Sequence, residues 1–91
     1  MSAPSVKIRI TPHAEEQIRN RKLNRERVIQ VASSPEETAA ASQSRYFAQS
    51  RYEEGGKVYL LRVLVERVED ERWIVTVYPT SKVAKYWRGG R

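Results

Sequence analysis

The chain has 91 residues, no cysteine and one histidine, and its 17 Lys and Arg residues against 11 Asp and Glu residues give a net charge of +6. This length predicts a single domain over residues 1–91, with residues 6–87 ordered and residues 88–91 forming a flexible tail. The composition excludes thiolate zinc sites, cysteine nucleophiles and disulfides, and no apolar run approaches the roughly 20 residues of a membrane-spanning helix. We therefore expect a cytoplasmic protein that uses no metal or cofactor.

The positive charge lies at the two ends of the chain. Residues 1–34 and residues 73–91 each carry four more positive than negative side chains, whereas residues 35–72 carry two more negative ones. An excess of this kind favours an acidic partner, either a nucleic acid or an acidic protein. The two ends can form one binding surface only if the fold brings them together.

The first 22 residues predict a strand followed by a helix. Val6, Ile8 and Ile10 alternate with basic residues, which is the pattern of a short, half-buried strand. Thr11 can cap a helix over residues 12–22, in which proline takes the first position and basic residues lie in the last turn. The apolar positions of this helix are sparse, so it should lie on the surface with one narrow stripe facing inward.

A second helix and a loop follow. Asn24 can cap a helix that carries Val28 and Val31 and that ends before Pro35. Residues 36–44 contain few apolar side chains. They predict a loop or a frayed helical turn.

The second half of the chain predicts strands. Residues 45–52, 57–68 and 72–78 are rich in Tyr, Val, Leu and Ile, and acidic or glycine-containing turns separate them, as in an antiparallel meander. Pro79 should end the last strand, and residues 82–88 can form a final helical turn. The predicted fold is α+β, of order β-α-α-β-β-β with a short C-terminal helix, and its two longer helices pack on one face of an antiparallel sheet.

The predicted strand register sorts the side chains onto two faces. Gln49 should lie opposite Leu60, and Arg62 opposite Tyr78. The face toward the helices should carry Tyr46, Ala48, Ser50, Tyr59, Leu61, Val63, Val65, Trp73, Val75 and Val77. The other face should carry Arg45, Gln49, Arg51, Arg62, Thr76 and Tyr78 among Phe47, Leu60, Leu64 and Ile74. This second face suits the binding of phosphates and bases, although a solvated sheet surface has a similar composition.

Several of these side chains could cleave RNA without a metal. His13 can act as a base or an acid, Arg19, Arg51 or Arg62 can contact phosphate oxygens, and Tyr78 can donate a proton or stack. A second cluster of basic and aromatic residues lies near the C-terminus. Tyr86 and Trp87, beside Lys82, Lys85 and Arg88, can extend a nucleic-acid groove or simply pack the C-terminal turn onto the sheet.

Short motifs along the chain suggest a family. They are Thr11-Pro12-His13-Ala14, Arg19 with Arg21, Ser34-Pro35, Ile74-Val75-Thr76-Val77-Tyr78, Thr80-Ser81-Lys82 and Tyr86-Trp87. With them, residues 6–87 resemble a small bacterial family of domains of unknown function that is grouped with RelE/ParE-like toxins, within the barnase, EndoU and colicin ribonuclease fold. The resemblance implies a RelE-like fold, a metal-independent ribonuclease activity and pairing with an antitoxin. The dense basic cluster of ribosome-dependent toxins is missing, which argues against that mechanism.

The sequence thus predicts a protein that binds RNA or cleaves it without a metal, with endoribonuclease activity left open. The alternative is a non-catalytic module that binds nucleic acid, or an acidic partner such as an antitoxin. The candidate catalytic residues are His13, Arg19, Thr76 and Tyr78, which are the positions that the family resemblance implies. The candidate nucleic-acid-binding residues are Arg21, Arg45, Arg51, Arg62, Lys82, Lys85 and Tyr86.

Overall fold

Five strands form one mixed sheet in the computed structural model, which describes residues 7–89. The elements in chain order are β1 (Lys7–Ile10), α1 (Pro12–Asn20), α2 (Arg25–Ser33), β2 (Glu37–Ala40), β3 (Arg45–Glu54), β4 (Lys57–Val68), β5 (Glu71–Thr80) and α3 (Val83–Tyr86). The strand order is β1-β5-β4-β3-β2, and β1 runs parallel to β5 while the other pairs are antiparallel. The predicted wholly antiparallel sheet is therefore wrong at β1. No helix within residues 7–89 is long and apolar enough to cross a membrane.

The caps of the first two helices confirm the sequence prediction. Thr11 Oγ1 accepts a hydrogen bond of 3.1 Å from the Ala14 amide, and Asn24 Oδ1 accepts one of 3.1 Å from the Arg27 amide. Each bond satisfies an amide that has no partner within its helix. The strand before α1 is confirmed over Lys7–Ile10, while Val6 lies outside the described residues.

One hydrophobic core joins α1 and α2 to the sheet. It consists of Ala14, Ile18, Val28, Val31, Ala32, Ala48, Leu61, Val63, Val65, Ile74 and Val77, all 6% exposed or less. Since both helices contribute to this single cluster, they cover the same face of the sheet. We call the opposite face, which carries Phe47, Gln49, Arg62 and Tyr78, the distal face.

The segment predicted as a loop contains strand β2. Glu37 pairs with Gln49 and Ala39 with Phe47, so residues 37–40 extend the sheet beyond β3. An edge strand has a neighbour on one side only and is partly exposed, and for this reason small and polar residues can form it. The low apolar content of residues 36–44 therefore gave the wrong prediction.

The first hairpin shifts the predicted register by two residues. Gly55 and Gly56 form a two-residue turn with φ of 61° and 78°, a conformation that glycine adopts readily. Gln49 consequently lies opposite Arg62, not Leu60. Because successive side chains alternate between faces, a shift of two residues leaves every side chain of β3 and β4 on its predicted face.

A β-bulge overturns two of the predicted face assignments. Leu64 pairs with Thr76 but Val65 pairs with Ile74, so β5 contains one extra residue at this point. Ile74 therefore turns into the core, whereas Trp73, opposite Glu66, lies on the distal face. The sequence had placed these two side chains the other way round.

The last strand passes through Pro79 and continues to Thr80, contrary to the prediction. The Val77 amide points away from β4 and donates to Gln17 Oε1 at 2.8 Å. The backbone nitrogen of Pro79, two residues further along the strand, points the same way as the Val77 amide, and it lies beyond the end of β1. A proline there removes no hydrogen bond from the ladder, so the strand does not have to end.

Candidate functional site

A single row of directly paired residues crosses four strands on the distal face. Glu37 lies opposite Gln49, Gln49 opposite Arg62, and Arg62 opposite Tyr78. Their side chains are also joined by hydrogen bonds. Gln49 Nε2 donates to Glu37, Arg62 Nε donates to Gln49 Oε1 at 2.9 Å, and Arg62 Nη1 donates to Tyr78 Oη at 2.6 Å. The row fixes the position of the arginine at its centre.

Arg62 is a buried cation held by neutral groups. The residue is 8% exposed, and its Cζ atom lies 3.9 Å from the ring centroid of Phe47 and 4.2 Å from that of Tyr86. Within residues 7–89 it forms no ion pair. Buried charges in proteins are usually paired with an opposite charge. The site therefore carries a positive charge that suits an anionic ligand.

The residues after β5 fold back over one end of this row. We call residues 83–89, which comprise α3 and the three residues after it, the strap. The Tyr86 carbonyl accepts a hydrogen bond from Gln49 Nε2, and Glu37 accepts bonds of 2.7 and 2.6 Å from the amides of Arg88 and Gly89. Arg88 and Gly89 belong to the segment predicted as a flexible tail, and here their amides bond to Glu37, while residues 90 and 91 lie outside the described part of the chain.

The rest of the distal face stays accessible beside Arg62. Phe47, Leu64, Thr76 and Tyr78 are half-buried. The rings of Phe47 and Tyr78 meet edge to face, with centroids 6.5 Å apart and an interplanar angle of 85°. Such an arrangement leaves aromatic surface next to a guanidinium group, which is a suitable surface for a planar, charged ligand.

The structure divides the predicted catalytic residues between the two sides of the sheet. Thr76 and Tyr78 lie on the distal face, as their pairing with Leu64 and Arg62 requires. His13 and Arg19 are exposed on α1, which packs on the other face through Ala14 and Ile18. The four residues do not form one site in this structure.

The predicted nucleic-acid-binding residues are also divided. Arg45, Arg51 and Arg62 belong to the distal face, Tyr86 and Lys85 to the strap, and Lys82 directly precedes the strap, whereas Arg21 follows α1 on the helix side. Two of these arginines already have partners. Arg45 forms an ion pair with Glu66, and Arg51 forms one with Glu36 while its Cζ atom lies 4.2 Å from the Trp87 ring.

Glu37 is the member of the row that the sequence did not indicate. Residues 36–44 were predicted as a loop, so nothing placed this carboxylate beside the sheet. Gln49 and Phe47 were assigned to the correct face but were not among the candidate binding residues. Within residues 7–89 there is no cluster of three or more His, Cys, Asp or Glu side chains that could hold a metal ion.

The helix side has a cleft of its own, between α2 and β3. It has a volume of about 250 Å³ and is lined by Arg27, Gln30, Val31, Ser34, Glu36, Ser50, Arg51 and Tyr52. The Arg27 Cζ atom lies 4.4 Å from the Tyr52 ring, and that ring stacks on Tyr59 with centroids 5.5 Å apart. These groups already contact one another, so the cleft offers less unpaired charge than the surroundings of Arg62.

Acidification is expected to release the strap from Glu37. Burial opposes ionisation of the Glu37 carboxyl, but the hydrogen bonds from Arg88, Gln49 and Gly89 outweigh it and lower the pKa of this group below the ordinary 4.5. A carboxyl group with a lowered pKa stabilises the folded protein at higher pH, and that contribution is lost as the pH falls through the folded-state pKa. The release should therefore occur below pH 4.5.

Tryptophan fluorescence can follow this release. In a Trp73→Phe background, Trp87 is the only tryptophan of the chain, and its emission should change as the strap leaves the sheet. The Glu37→Gln variant should lack this acid transition because its side chain does not titrate. An identical transition in that variant would contradict the assignment to Glu37.

Comparison with known proteins gives the family of the chain. No curated protein and no solved structure matches it. A family model described as a domain of unknown function matches residues 10–79, a range that includes α1, α2 and the strands from β2 to Pro79 in β5 but ends before the strap. Since this match covers well over half of the chain, the protein belongs to the DUF4258 family of domains of unknown function.

Proposed function

We propose that this protein binds single-stranded RNA on the distal face of its sheet. The observation that carries the proposal is the environment of Arg62, a buried guanidinium group without an acidic partner among the described residues. A phosphate group placed there would supply the missing negative charge and accept charge-assisted hydrogen bonds.

The neighbouring side chains favour a single strand over a duplex. Unpaired bases stack on aromatic rings, and the half-buried residues Phe47 and Tyr78 place their rings beside Arg62. Lys82, directly before the strap, and Lys85, within it, are exposed and form no ion pair within residues 7–89. They would attract the phosphate backbone over a longer range.

The proposal extends to a RelE-like toxin that acts in the cytoplasm. It is supported by the two helices on one face of the sheet and by the motif resemblance described above. Under this proposal, an acidic antitoxin would compete with RNA for the same cationic surface. Fold likeness alone does not establish a shared activity, so RNA binding has to be tested directly.

RNA binding can be measured by fluorescence anisotropy with a labelled uridine oligonucleotide at several salt concentrations. The Lys82→Gln/Lys85→Gln variant should bind RNA several-fold more weakly than the parent. The slope of its log affinity against log salt concentration should be shallower by the amount that corresponds to about one to two lost phosphate contacts. The Arg19→Gln/Arg21→Gln variant removes the same charge from the helix side and should lose much less affinity. A larger loss in the second variant would place the interface on the helices and refute the proposal.

Metal-independent RNA cleavage is a second candidate, favoured by the hydrogen bond of 2.6 Å between Arg62 and Tyr78. A guanidinium group can neutralise the charge that develops on the phosphate, and a phenol can donate a proton. Incubation of RNA with the protein and a chelator tests for cleavage. Loss of cleavage in Tyr78→Phe would support this pair, whereas loss in His13→Ala would support the mechanism predicted from the sequence.

A further inference from the structure

The strap covers part of the surface that RNA binding would need. The ring of Tyr86 lies 4.2 Å from the Arg62 Cζ atom, and that of Phe47 lies 3.9 Å from it. A guanidinium group is planar and stacks through its two faces, so Phe47 in β3 covers one face of Arg62 and the Tyr86 ring covers the other, which a base could otherwise take. The Tyr86 ring therefore covers the part of Arg62 that an RNA base would contact.

The attachments of the strap are polar and partly exposed. α3 contains no buried residue. The strap is held by hydrogen bonds from Gln49 to Tyr86 and from Arg88 and Gly89 to Glu37, and by the Trp87 ring against Arg51. Segments that bury little apolar surface separate from the rest of a protein at low free-energy cost. The strap can thus lift while the core stays folded.

We propose that residues 83–89 act as a cis competitor that must leave Arg62 before RNA can bind fully. This inference rests on the proposed RNA-binding function. When only a fraction of molecules is competent to bind, the apparent dissociation constant equals the intrinsic one divided by that fraction. Weakening the strap should therefore increase the affinity for RNA without any new contact.

Two full-length variants test this competition. Trp87→Ala removes the contact with Arg51, and Glu37→Gln weakens the acceptor of the Arg88 and Gly89 amides. Each should bind the uridine oligonucleotide up to about tenfold more tightly than the parent, because more molecules have an open strap. Glu15→Gln removes the same negative charge on the helix side, where the carboxylate pairs with Arg25, and should change the affinity by less than about twofold.

Amide hydrogen exchange separates the two proposals. Saturating RNA should accelerate exchange at Arg88 and Gly89, whose amides lose Glu37 as acceptor when the strap leaves. RNA binding with unchanged exchange at these amides, or weaker binding by both strap variants, would overturn the competition and leave RNA binding in place. No binding by the parent or by either variant would overturn both proposals, whereas binding by the variants alone would support both.

Discussion

The Arg62→Met variant is expected to lose RNA affinity by at least about tenfold, which corresponds to about 1.4 kcal/mol or more of binding free energy. The substitution keeps a long side chain between the rings of Phe47 and Tyr86 but removes the charge that the proposed phosphate contact requires. Fluorescence anisotropy at low salt measures the loss. Urea unfolding measures the effect on stability separately, since the substitution leaves Gln49 Oε1 and Tyr78 Oη without their donor, and a buried polar group left unpaired costs about 1–3 kcal/mol.

Arg67→Met is the matched control. The Arg67 Cζ atom lies 4.3 Å from the Tyr46 ring, so this arginine also stacks on an aromatic side chain. It is exposed, and it pairs with Arg72 on the side of the sheet opposite to Arg62. Its replacement by methionine removes one positive charge from the helix side of the sheet, not from the distal face. Equal losses of affinity in the two variants would show that net charge matters and that the surroundings of Arg62 do not.

The Gln49→Leu variant is expected to reduce the free energy of unfolding by about 2–4 kcal/mol. Gln49 is fully buried, and its amide contacts three groups, namely Glu37, Arg62 and the Tyr86 carbonyl. A leucine of similar size fills the space but leaves all three without this partner. Urea unfolding measures the change, and Gln30→Leu on the exposed side of α2 is a control with the same substitution.

A double variant shows whether the row acts as a unit. Removing both partners of a buried hydrogen bond costs less than removing one, because no polar group is left unsatisfied. Gln49→Leu/Arg62→Met should therefore be destabilised by about 1–2 kcal/mol less than the sum of the single variants. Additive effects would indicate that the two side chains contribute to stability independently.

Local patterns were sufficient to predict the two helices and most of the two faces. The capping residues Thr11 and Asn24 bond to amides three residues away, so the signal and its partner lie in one short segment. The distal positions of Gln49 and Arg62 follow from the alternation of side chains. This alternation is unaffected by the two-residue shift at Gly55 and Gly56.

The remaining features depend on distant parts of the chain. Strand β2 forms because β3 supplies its hydrogen-bond partners. The β-bulge in β5, opposite Leu64 and Val65, exchanges the sheet faces on which the side chains of Trp73 and Ile74 lie. The strap bonds to Glu37 across 51 residues. No periodicity within the strap or around Glu37 indicates that they meet, so this half of the candidate site could not be derived from the sequence.

The parallel pairing of β1 with β5 has a consequence for the order of folding. Lys7 pairs with Glu71 and Ile10 with Ile74, so β1 has no strand partner until β5 has been synthesised. Pairings between distant segments are slow because a long loop must close first. During translation the helices and the β3–β4 hairpin can form early, whereas Tyr78 joins Arg62 only at a late step. A nascent chain would therefore acquire its complete distal face only as synthesis of this region finishes.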